Sequence, residues 1–478
     1  MTAVGEGRGT EMLSNQLTPA PPTRLVRSLG VLGVLFLTLS VTTPASSVFV
    51  IVPGMLQEAG TGAIWALAIA AVVCVATAYI YAELSSAWPV AGGEYVMVAR
   101  TLGPLAGFVM LGVNVFNNLL FLPVAGLGIS EVLAIVVPGL PVIPVAVAVV
   151  AGSALIGLLN IRVNALVTGA FLVLEVIALV AVVALGGLDM VRPLGDLLAA
   201  PVMVSDGALG PVSAVSIGVA TSIAIFALNG YGAAVYFGEE MHQAPQKITR
   251  TIMLALGLTL LLEVIPILAL LVGAPDLKAA LASANPFGEL VQVRGGDTVA
   301  QWIAVGVALA IVNAIIAWVL ACARFFYGTA RDRAWGRPLD TWMTAIHPRF
   351  GSPWLGTLII GAVGIATCFI PLQVLLVLSG SGLVVIYAGI AVATIAGRRS
   401  GATAHAAYRM PLYPLAPIVT LIALGFVVYY SWQDLGEGRP GLIATAAQVA
   451  GSAAYYWFVV KRRGAWHVHI PDNEEPPA

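Results

Sequence analysis

Residues 223–240 read IAIFALNGYGAAVYFGEE, and this stretch is the starting point for predicting the fold. The flanking residues are apolar enough for a membrane helix, but Asn229, Gly230, Tyr231 and Gly232 interrupt the run at its middle. Two glycines weaken a helix because they remove side-chain cover and add backbone freedom. The sequence therefore predicts a membrane helix that opens near its centre.

The whole chain has the composition of a membrane protein. Of its 478 residues, 59% are hydrophobic and 9% are charged, whereas soluble domains carry about 25% charged residues. Lipid cannot satisfy backbone polar groups, so long apolar runs predict helices. Runs of about 20 residues, enough to cross a bilayer, predict an all-α polytopic protein. Its twelve transmembrane helices are expected over residues 27–57, 61–87, 105–137, 141–160, 164–187, 211–238, 250–273, 298–323, 353–371, 373–396, 412–432 and 440–460.

The distribution of basic residues predicts the orientation. Cytoplasmic loops of membrane proteins are enriched in Lys and Arg. With a cytoplasmic N-terminus, the twelve spans leave four of the 22 Lys and Arg residues outside, namely Arg192, Lys278, Arg294 and Arg439. We therefore expect both termini in the cytoplasm and the protein in the cell inner (plasma) membrane.

The two ends of the chain differ from its centre in composition. Residues 1–24 are polar and carry no signal-peptide pattern, which predicts a disordered cytoplasmic tail. Residues 461–478 form a second predicted cytoplasmic tail. The membrane domain is expected over residues 25–460.

No pattern in the sequence is typical of an enzyme. All histidines fall in predicted loops or tails, and no phosphate-binding loop or nucleophile motif stands in a suitable setting. Cys74, Cys322 and Cys368 lie within spans at spacings that suit neither a disulfide framework nor a metal site. We therefore expect no catalytic residue, no metal and no cofactor. The net charge of −1 gives no sign of a nucleic-acid partner.

The first predicted span has a matching interruption. It contains TTPASS at residues 42–47, and Pro44 lacks the amide hydrogen that a helix needs. The first and sixth spans each begin a group of five spans, over residues 27–187 and 211–396. Broken helices at matching places indicate an inverted-repeat secondary transporter that binds substrate where the helices unwind. The alternative is that Gly and Pro only assist helix packing.

Three stretches at predicted cytoplasmic helix ends carry a family resemblance. They are YIYAELSSAWPVAGGEYVMVARTLGPLAGF at 79–108, EEMHQAPQKITR at 239–250 and ARFFYGTARDRAWGRPLD at 323–340. Together they resemble the motifs of the amino acid, polyamine and organocation (APC) transporter superfamily, over roughly residues 25–460. The resemblance implies a bacterial-type amino acid permease with a leucine-transporter-like fold. That fold has five plus five inverted-repeat helices with helices 1 and 6 broken, and two extra C-terminal helices over 412–460.

The resemblance also implies which residues bind substrate. By position they are Thr43, Pro44, Ala45, Ser46, Ser47, Asn118, Phe226, Ala227, Leu228, Asn229 and Gly230. Asn118 can equally serve helix-to-helix hydrogen bonding. This chain departs from several family members in having Gly232 where they carry Glu. Without that acid, a strongly cationic substrate such as arginine is not expected.

Acidic residues inside the predicted spans are candidates for energy coupling. A charge at mid-membrane costs roughly 2.5–3.5 kcal/mol, so an acid retained there is a functional candidate. The candidates are Glu131, Glu175 and Glu263. In the resemblance, Glu175 falls near a Lys of proton-coupled or exchanging members, and its alternative is a structural carboxyl bonded to a neighbouring helix.

A second group of acids lies at the predicted cytoplasmic edge. Its members are Glu83, Glu94, Glu239 and Glu240. We expect these carboxylates to pair with loop arginines, and such pairs can latch an inner gate.

The predicted eighth span favours protons over sodium. Residues 299–328 contain no Ser or Thr, whereas a hard cation needs oxygen ligands. The expected function is alternating-access, proton-coupled uptake of neutral amino acids, with the proton gradient as energy source. The alternatives are a polyamine or amine permease, an exchanger, and a nutrient sensor on the same scaffold. Expected partners are the amino acid or amine and membrane lipid, in a monomer or homodimer.

Overall fold

The computed structural model describes residues 25–468 except 135, 160, 206 and 437, and the side chains of 131, 162, 373, 376 and 377 lie outside the description. The predicted tail over 1–24, and the part of the second tail beyond residue 468, therefore fall outside the described residues.

The described residues form twenty α-helices. The first ten are α1 (Val31–Thr42), α2 (Pro44–Ser46), α3 (Val52–Ala59), α4 (Ala63–Ala87), α5 (Glu94–Leu102), α6 (Pro104–Leu133), α7 (Val142–Gly157), α8 (Ile161–Gly187), α9 (Leu194–Ala199) and α10 (Ala214–Ala227). The other ten are α11 (Ala244–Gly273), α12 (Leu277–Ala282), α13 (Pro286–Gly295), α14 (Asp297–Arg331), α15 (Leu339–Met343), α16 (Trp354–Thr367), α17 (Leu372–Ser400), α18 (Leu415–Gln433), α19 (Gly438–Tyr455) and α20 (Lys461–Arg463).

Shorter elements join these helices. Ser47–Ile51 and Tyr456–Val460 are π-helical turns, and Gly60–Gly62 and Tyr231–Glu240 are 3₁₀-helical. The fold departs from the all-α expectation in one antiparallel hairpin, β1 (Val202–Ser205) and β2 (Ala208–Pro211), which pairs Val202 with Pro211.

Nine segments in the described part of the chain are long and apolar enough to cross a membrane. The first, Val31–Ala87, has 57 residues and covers most of the first predicted span and all of the second. Two shorter apolar helices, Val142–Gly157 and Trp354–Thr367, stand where the fourth and ninth spans are predicted. The protein is a mostly helical, multi-pass membrane protein, while the count of twelve spans and the inverted repeat stay predictions.

The break in the first membrane helix follows from Pro44. Helix α1 ends at Thr42, and Thr43 takes a left-handed conformation with φ 45° and ψ 69°. Pro44 then begins the single turn α2, and the π-helical turn from Ser47 leads into α3. Proline has no N–H and its ring crowds the preceding turn, and both effects favour the break at this point.

The break in the sixth membrane helix follows from Gly230. Helix α10 ends at Ala227, and Gly230 has a φ of 117° before the 3₁₀ segment Tyr231–Glu240 begins. Glycine is the residue that adopts such positive φ values without steric cost. The chain therefore changes direction within the quoted stretch.

The two breaks touch each other at the centre of the protein. A Cβ atom at Gly230 would lie 2.6 Å from the Cα atom of Thr42. The Ser47 hydroxyl donates to the carbonyl oxygen of Ala227 over 3.1 Å. Helix α14 packs against α1, α2 and the 3₁₀ segment and thereby closes the other side of this contact.

The contact predicts a strong effect of Gly230→Ala. A side chain there would meet the backbone of Thr42 and force a strained φ, and a strained residue costs about 1–3 kcal/mol. We expect a lower thermal unfolding midpoint of the purified protein in detergent. Gly257→Ala is the matched control, because a Cβ atom there meets nothing within 4 Å. Equal midpoints for the two variants would contradict the contact.

Candidate functional site

A buried carboxyl group binds the break in the first helix. The amide of Ala45 donates to Oε1 of Glu175 over 2.7 Å, and Glu175 comes from α8 and is fully buried. The first amides of a helical turn have no partner within that turn, so Glu175 supplies the missing acceptor for α2. Its second oxygen, Oε2, has no hydrogen-bond partner among the described residues.

A second buried carboxyl group reaches the same place. Glu263 comes from α11 and lies beside Ser47 and near Glu175. Neither of its oxygens has a hydrogen-bond partner among the described residues. A buried carboxyl oxygen without a partner is costly, and Glu175 and Glu263 both carry one beside the same helix break, which points to a functional site. The side chain of Glu131, the third candidate, lies outside the described residues.

Asn313 of α14 is a polar residue within the stretch 299–328, which contains no Ser or Thr. Its amide nitrogen donates to Ser40 Oγ over 3.0 Å and to the carbonyl oxygen of Thr168 over 3.3 Å. It therefore ties α14 to α1 and to α8, and Thr168 lies about two helix turns before Glu175 on α8. The position of this single Asn within the apolar run AIVNAIIA is the feature from which a buried polar contact could have been predicted.

A small cavity lies at the break in the sixth helix. Polar side chains form part of its wall: Tyr81, Glu94, Asn117, Asn118, Asn229 and Tyr236. The rest of the wall consists of Gly230, Gly232, Ala233, Trp318, Leu383 and Ile386. Its volume of about 20 Å³ has room for about one water molecule. An amino acid can enter only after these walls move.

Three of the predicted substrate-binding residues line this cavity, namely Asn118, Asn229 and Gly230. The others do not line it. Residues 43–47 and 226–228 are all buried next to the two breaks. The structure thus brings the predicted residues of the two broken helices together, and their contact with substrate stays a prediction.

Glu94 corrects one expectation from the sequence. The expected arginine partner is wrong for this residue: its carboxylate is buried and accepts hydrogen bonds from Tyr81 (2.7 Å), Tyr236 (2.9 Å) and Asn114 (2.9 Å). The cause is the turn at Gly93, whose φ is 62° and whose Cβ would lie 2.6 Å from Tyr236. Because α5 begins this close to the 3₁₀ segment Tyr231–Glu240, Glu94 faces the cavity.

The other three acids of that group pair with arginines in the structure. The ion pairs are Glu83 with Arg398 (2.6 Å), Glu239 with Arg331 (2.9 Å) and Glu240 with Arg324 (2.7 Å). Arg324 is fully buried, and removing one partner of a buried pair costs about 3–5 kcal/mol. These pairs fasten neighbouring elements, and their role in gating stays a prediction.

Aromatic residues that sequence reasoning passed over hold the predicted amides in place. The Tyr387 hydroxyl donates to Asn229 Oδ1 over 2.9 Å, and the indole of Trp318 donates to the carbonyl oxygen of Asn118 over 2.6 Å. Trp318 and Tyr387 each carry a hydrogen-bond donor within an otherwise aliphatic run of the sequence. A single donor in such a run is the feature from which a buried hydrogen bond could have been predicted.

The structure explains why this chain has glycine and not glutamate at position 232. A Cβ atom there would lie 2.8 Å from the ring of Tyr81. A glutamate at this position therefore cannot fit unless Tyr81 moves. In this chain the tyrosine ring occupies the space, and Glu94 is the acid that lines the cavity.

Comparisons with known proteins agree with this architecture. Residues 29–460 match the family described as Amino acid permease. An uncharacterized transporter of Mycobacterium tuberculosis is 29% identical to this chain over 72% of this chain and 73% of its own length. The methylthioribose transporter of Bacillus subtilis is 26% identical over 76% and 79% of the two chains. The branched-chain amino acid permease BcaP of Lactococcus lactis is 27% identical over 82% and 86%.

These relatives are transporters and not enzymes. The family match covers both broken helices, the buried acids and the cavity. The chain is a member of the amino acid permease family of the APC superfamily.

Proposed function

We propose that the protein is a secondary active transporter that takes up neutral amino acids by alternating access and couples this uptake to protons. The observation that carries the proposal is the 2.7 Å hydrogen bond from the Ala45 amide to Glu175. It attaches an ionisable group directly to the broken segment expected to bind substrate. The excess of basic residues on the predicted inner loops supports a cytoplasmic membrane location with both termini inside.

Protonation of Glu175 provides a route for coupling. An ionised carboxylate accepts a stronger hydrogen bond than a neutral carboxyl, by roughly a factor of two. A proton on the free Oε2 therefore weakens the hold of Oε1 on the Ala45 amide. The break in the first helix can then change its shape when the proton arrives or leaves.

The walls of the cavity support a neutral, partly apolar substrate. Trp318, Leu383 and Ile386 supply apolar surface, and Asn118 and Asn229 supply neutral hydrogen-bonding groups. The amides and carbonyls freed at the two breaks suit the carboxylate and ammonium groups of an amino acid. Because a relative carries the name branched-chain amino acid permease, we take leucine, isoleucine and valine as the first substrates to test.

A second candidate substrate comes from another relative. The methylthioribose transporter of Bacillus subtilis is 26% identical to this chain, and a thioether sugar also combines an apolar tail with neutral polar groups. Amine permease, amino acid exchanger and nutrient sensor remain the other candidates.

A ligand panel separates these substrates. We expect thermal unfolding of the purified protein to shift upward with leucine, isoleucine or valine. Arginine and putrescine should cause no shift, because each carries a second cationic group and Glu94 is the one acid among the described residues that line the cavity. Stabilisation by methylthioribose alone would select the sugar, and stabilisation by putrescine alone would select the amine.

The driving ion can be read from uptake in proteoliposomes. With an inward proton gradient, labelled leucine should accumulate, and a membrane-permeant protonophore should abolish the accumulation. Replacing sodium by choline should leave it unchanged, because the expected sodium ligands of the eighth helix are missing from the sequence. Loss of uptake in choline, with resistance to the protonophore, would contradict proton coupling.

The role of Glu175 can be tested with Glu175→Gln. Glutamine keeps an acceptor for the Ala45 amide but cannot gain or lose the proton, so we expect no proton-driven accumulation and retained leucine exchange. Exchange of external label against internal leucine is the second measurement, because it needs no driving ion.

Two further variants complete this test. Glu289→Gln makes the same chemical change at an exposed residue of α13 and should behave like the wild type. Glu263→Gln tests the rival acid. If that variant loses accumulation while Glu175→Gln keeps it, the coupling proton belongs to Glu263 and the assignment to Glu175 is wrong.

A further inference from the structure

We infer that Glu94 is a binding point for a primary ammonium group, within the cavity at the sixth-helix break. Its role for a transported amino acid rests on the proposed function, and the site itself rests on the residues around Glu94. The Glu94 carboxylate is distinct from the backbone groups freed at the breaks, although Asn229 and Gly230 of the sixth-helix break line the same cavity. It lies beside the segment that follows α4, toward the predicted cytoplasmic ends of the helices.

The first step of the argument is charge. Glu94 is the one charged residue among the described residues that line the cavity, and no basic residue stands among them. Its three hydrogen-bond donors, Tyr81, Tyr236 and Asn114, are neutral. Charges interact far more strongly in a protein interior than in water. A cavity with one acid and no counter-charge therefore favours a cationic group.

The second step is the supply of acceptors. A primary ammonium carries three N–H donors and no acceptor. Asn114 donates its amide nitrogen to Glu94, but its oxygen Oδ1 is buried and has no hydrogen-bond partner among the described residues. Asn229, whose side-chain oxygen accepts from Tyr387, lines the cavity, whereas Asn114 is connected to it through its hydrogen bond to Glu94. An orphaned buried acceptor is costly, and an ammonium beside Glu94 would offer it a donor.

The third step is how the site would respond to a ligand. Tyr81 belongs to α4, Tyr236 to the 3₁₀ segment and Asn114 to α6, so Glu94 joins three elements through hydrogen bonds. Asn118 of α6 donates to the Tyr236 hydroxyl over 3.4 Å and extends this chain of bonds. An arriving ammonium competes with the tyrosine hydroxyls for Glu94. Ammonium binding therefore loosens the connection that Glu94 makes between α4 and the 3₁₀ segment Tyr231–Glu240.

The test uses compounds that carry only part of leucine. Thermal unfolding of the full-length protein in detergent is followed with isopentylamine, isopentanol and 4-methylpentanoate. We expect isopentylamine to stabilise the wild type at concentrations at least about tenfold lower than the other two, the effect of one charge-assisted hydrogen bond. Glu94→Gln should remove this preference, and Glu94→Asp and Tyr236→Phe, which keep the carboxylate, should retain it.

The controls separate the site from general effects of charge. Glu289→Gln removes an exposed acid that does not line the cavity and should keep the amine preference. Glu175→Gln tests a rival site at the first-helix break. If Glu175→Gln loses the preference and Glu94→Gln keeps it, the inference is wrong. Two other outcomes overturn the inference even if Glu94→Gln fails to fold. One is a wild type that shows no amine preference. The other is loss of the amine preference in both Tyr236→Phe and Glu94→Asp.

Binding and transport are read separately, so the two proposals can fail independently. An amine preference that depends on Glu94, in a protein that does not accumulate leucine in liposomes, would reject the proposed function and keep the site. If the protein accumulates leucine but shows no amine preference that depends on Glu94, the proposed function is kept and the ammonium site is rejected.

Discussion

The structure depends on how an interrupted membrane helix satisfies its backbone. A break within lipid exposes amides and carbonyls that water cannot reach, and each unsatisfied group is costly. In the first helix the Ala45 amide is satisfied by Glu175, and Ser47 bonds to the carbonyl of Ala227 in the sixth helix. The breaks are therefore stable because they are completed by other helices. Whatever changes those partners also changes the shape of the breaks.

The close approach of the two breaks explains much of the local sequence. Gly230 leaves room for the backbone of Thr42, and Gly232 leaves room for the ring of Tyr81. Small residues at these points allow backbones to pack where side chains would keep them apart. Close packing in turn leaves a cavity too small for an amino acid in this conformation. Substrate binding therefore requires the helices around the cavity to separate.

The acidic residues fall into two physical classes. Glu83, Glu239 and Glu240 each have an arginine partner, so their charge is compensated and they fasten one element to another. The acids of the second class, Glu94, Glu175 and Glu263, are buried and form no ion pair among the described residues. A buried acid without a counter-charge favours binding of a proton or a cation. The proposals for coupling and for ammonium binding both follow from this difference.

The membrane class, the helical character and the two breaks could be predicted from the sequence, because hydrophobic length, Pro44 and Gly230 act locally on the backbone. Glu175 could be predicted as a candidate as well, since a carboxyl in a long apolar run is conspicuous. The contacts of these groups are known from the tertiary structure alone: the contact of Glu175 with Ala45, the inward position of Glu94, and the bonds from Tyr387 and Trp318. Such contacts join residues far apart in the chain. Their geometry depends on how the helices pack, and no local pattern specifies that packing.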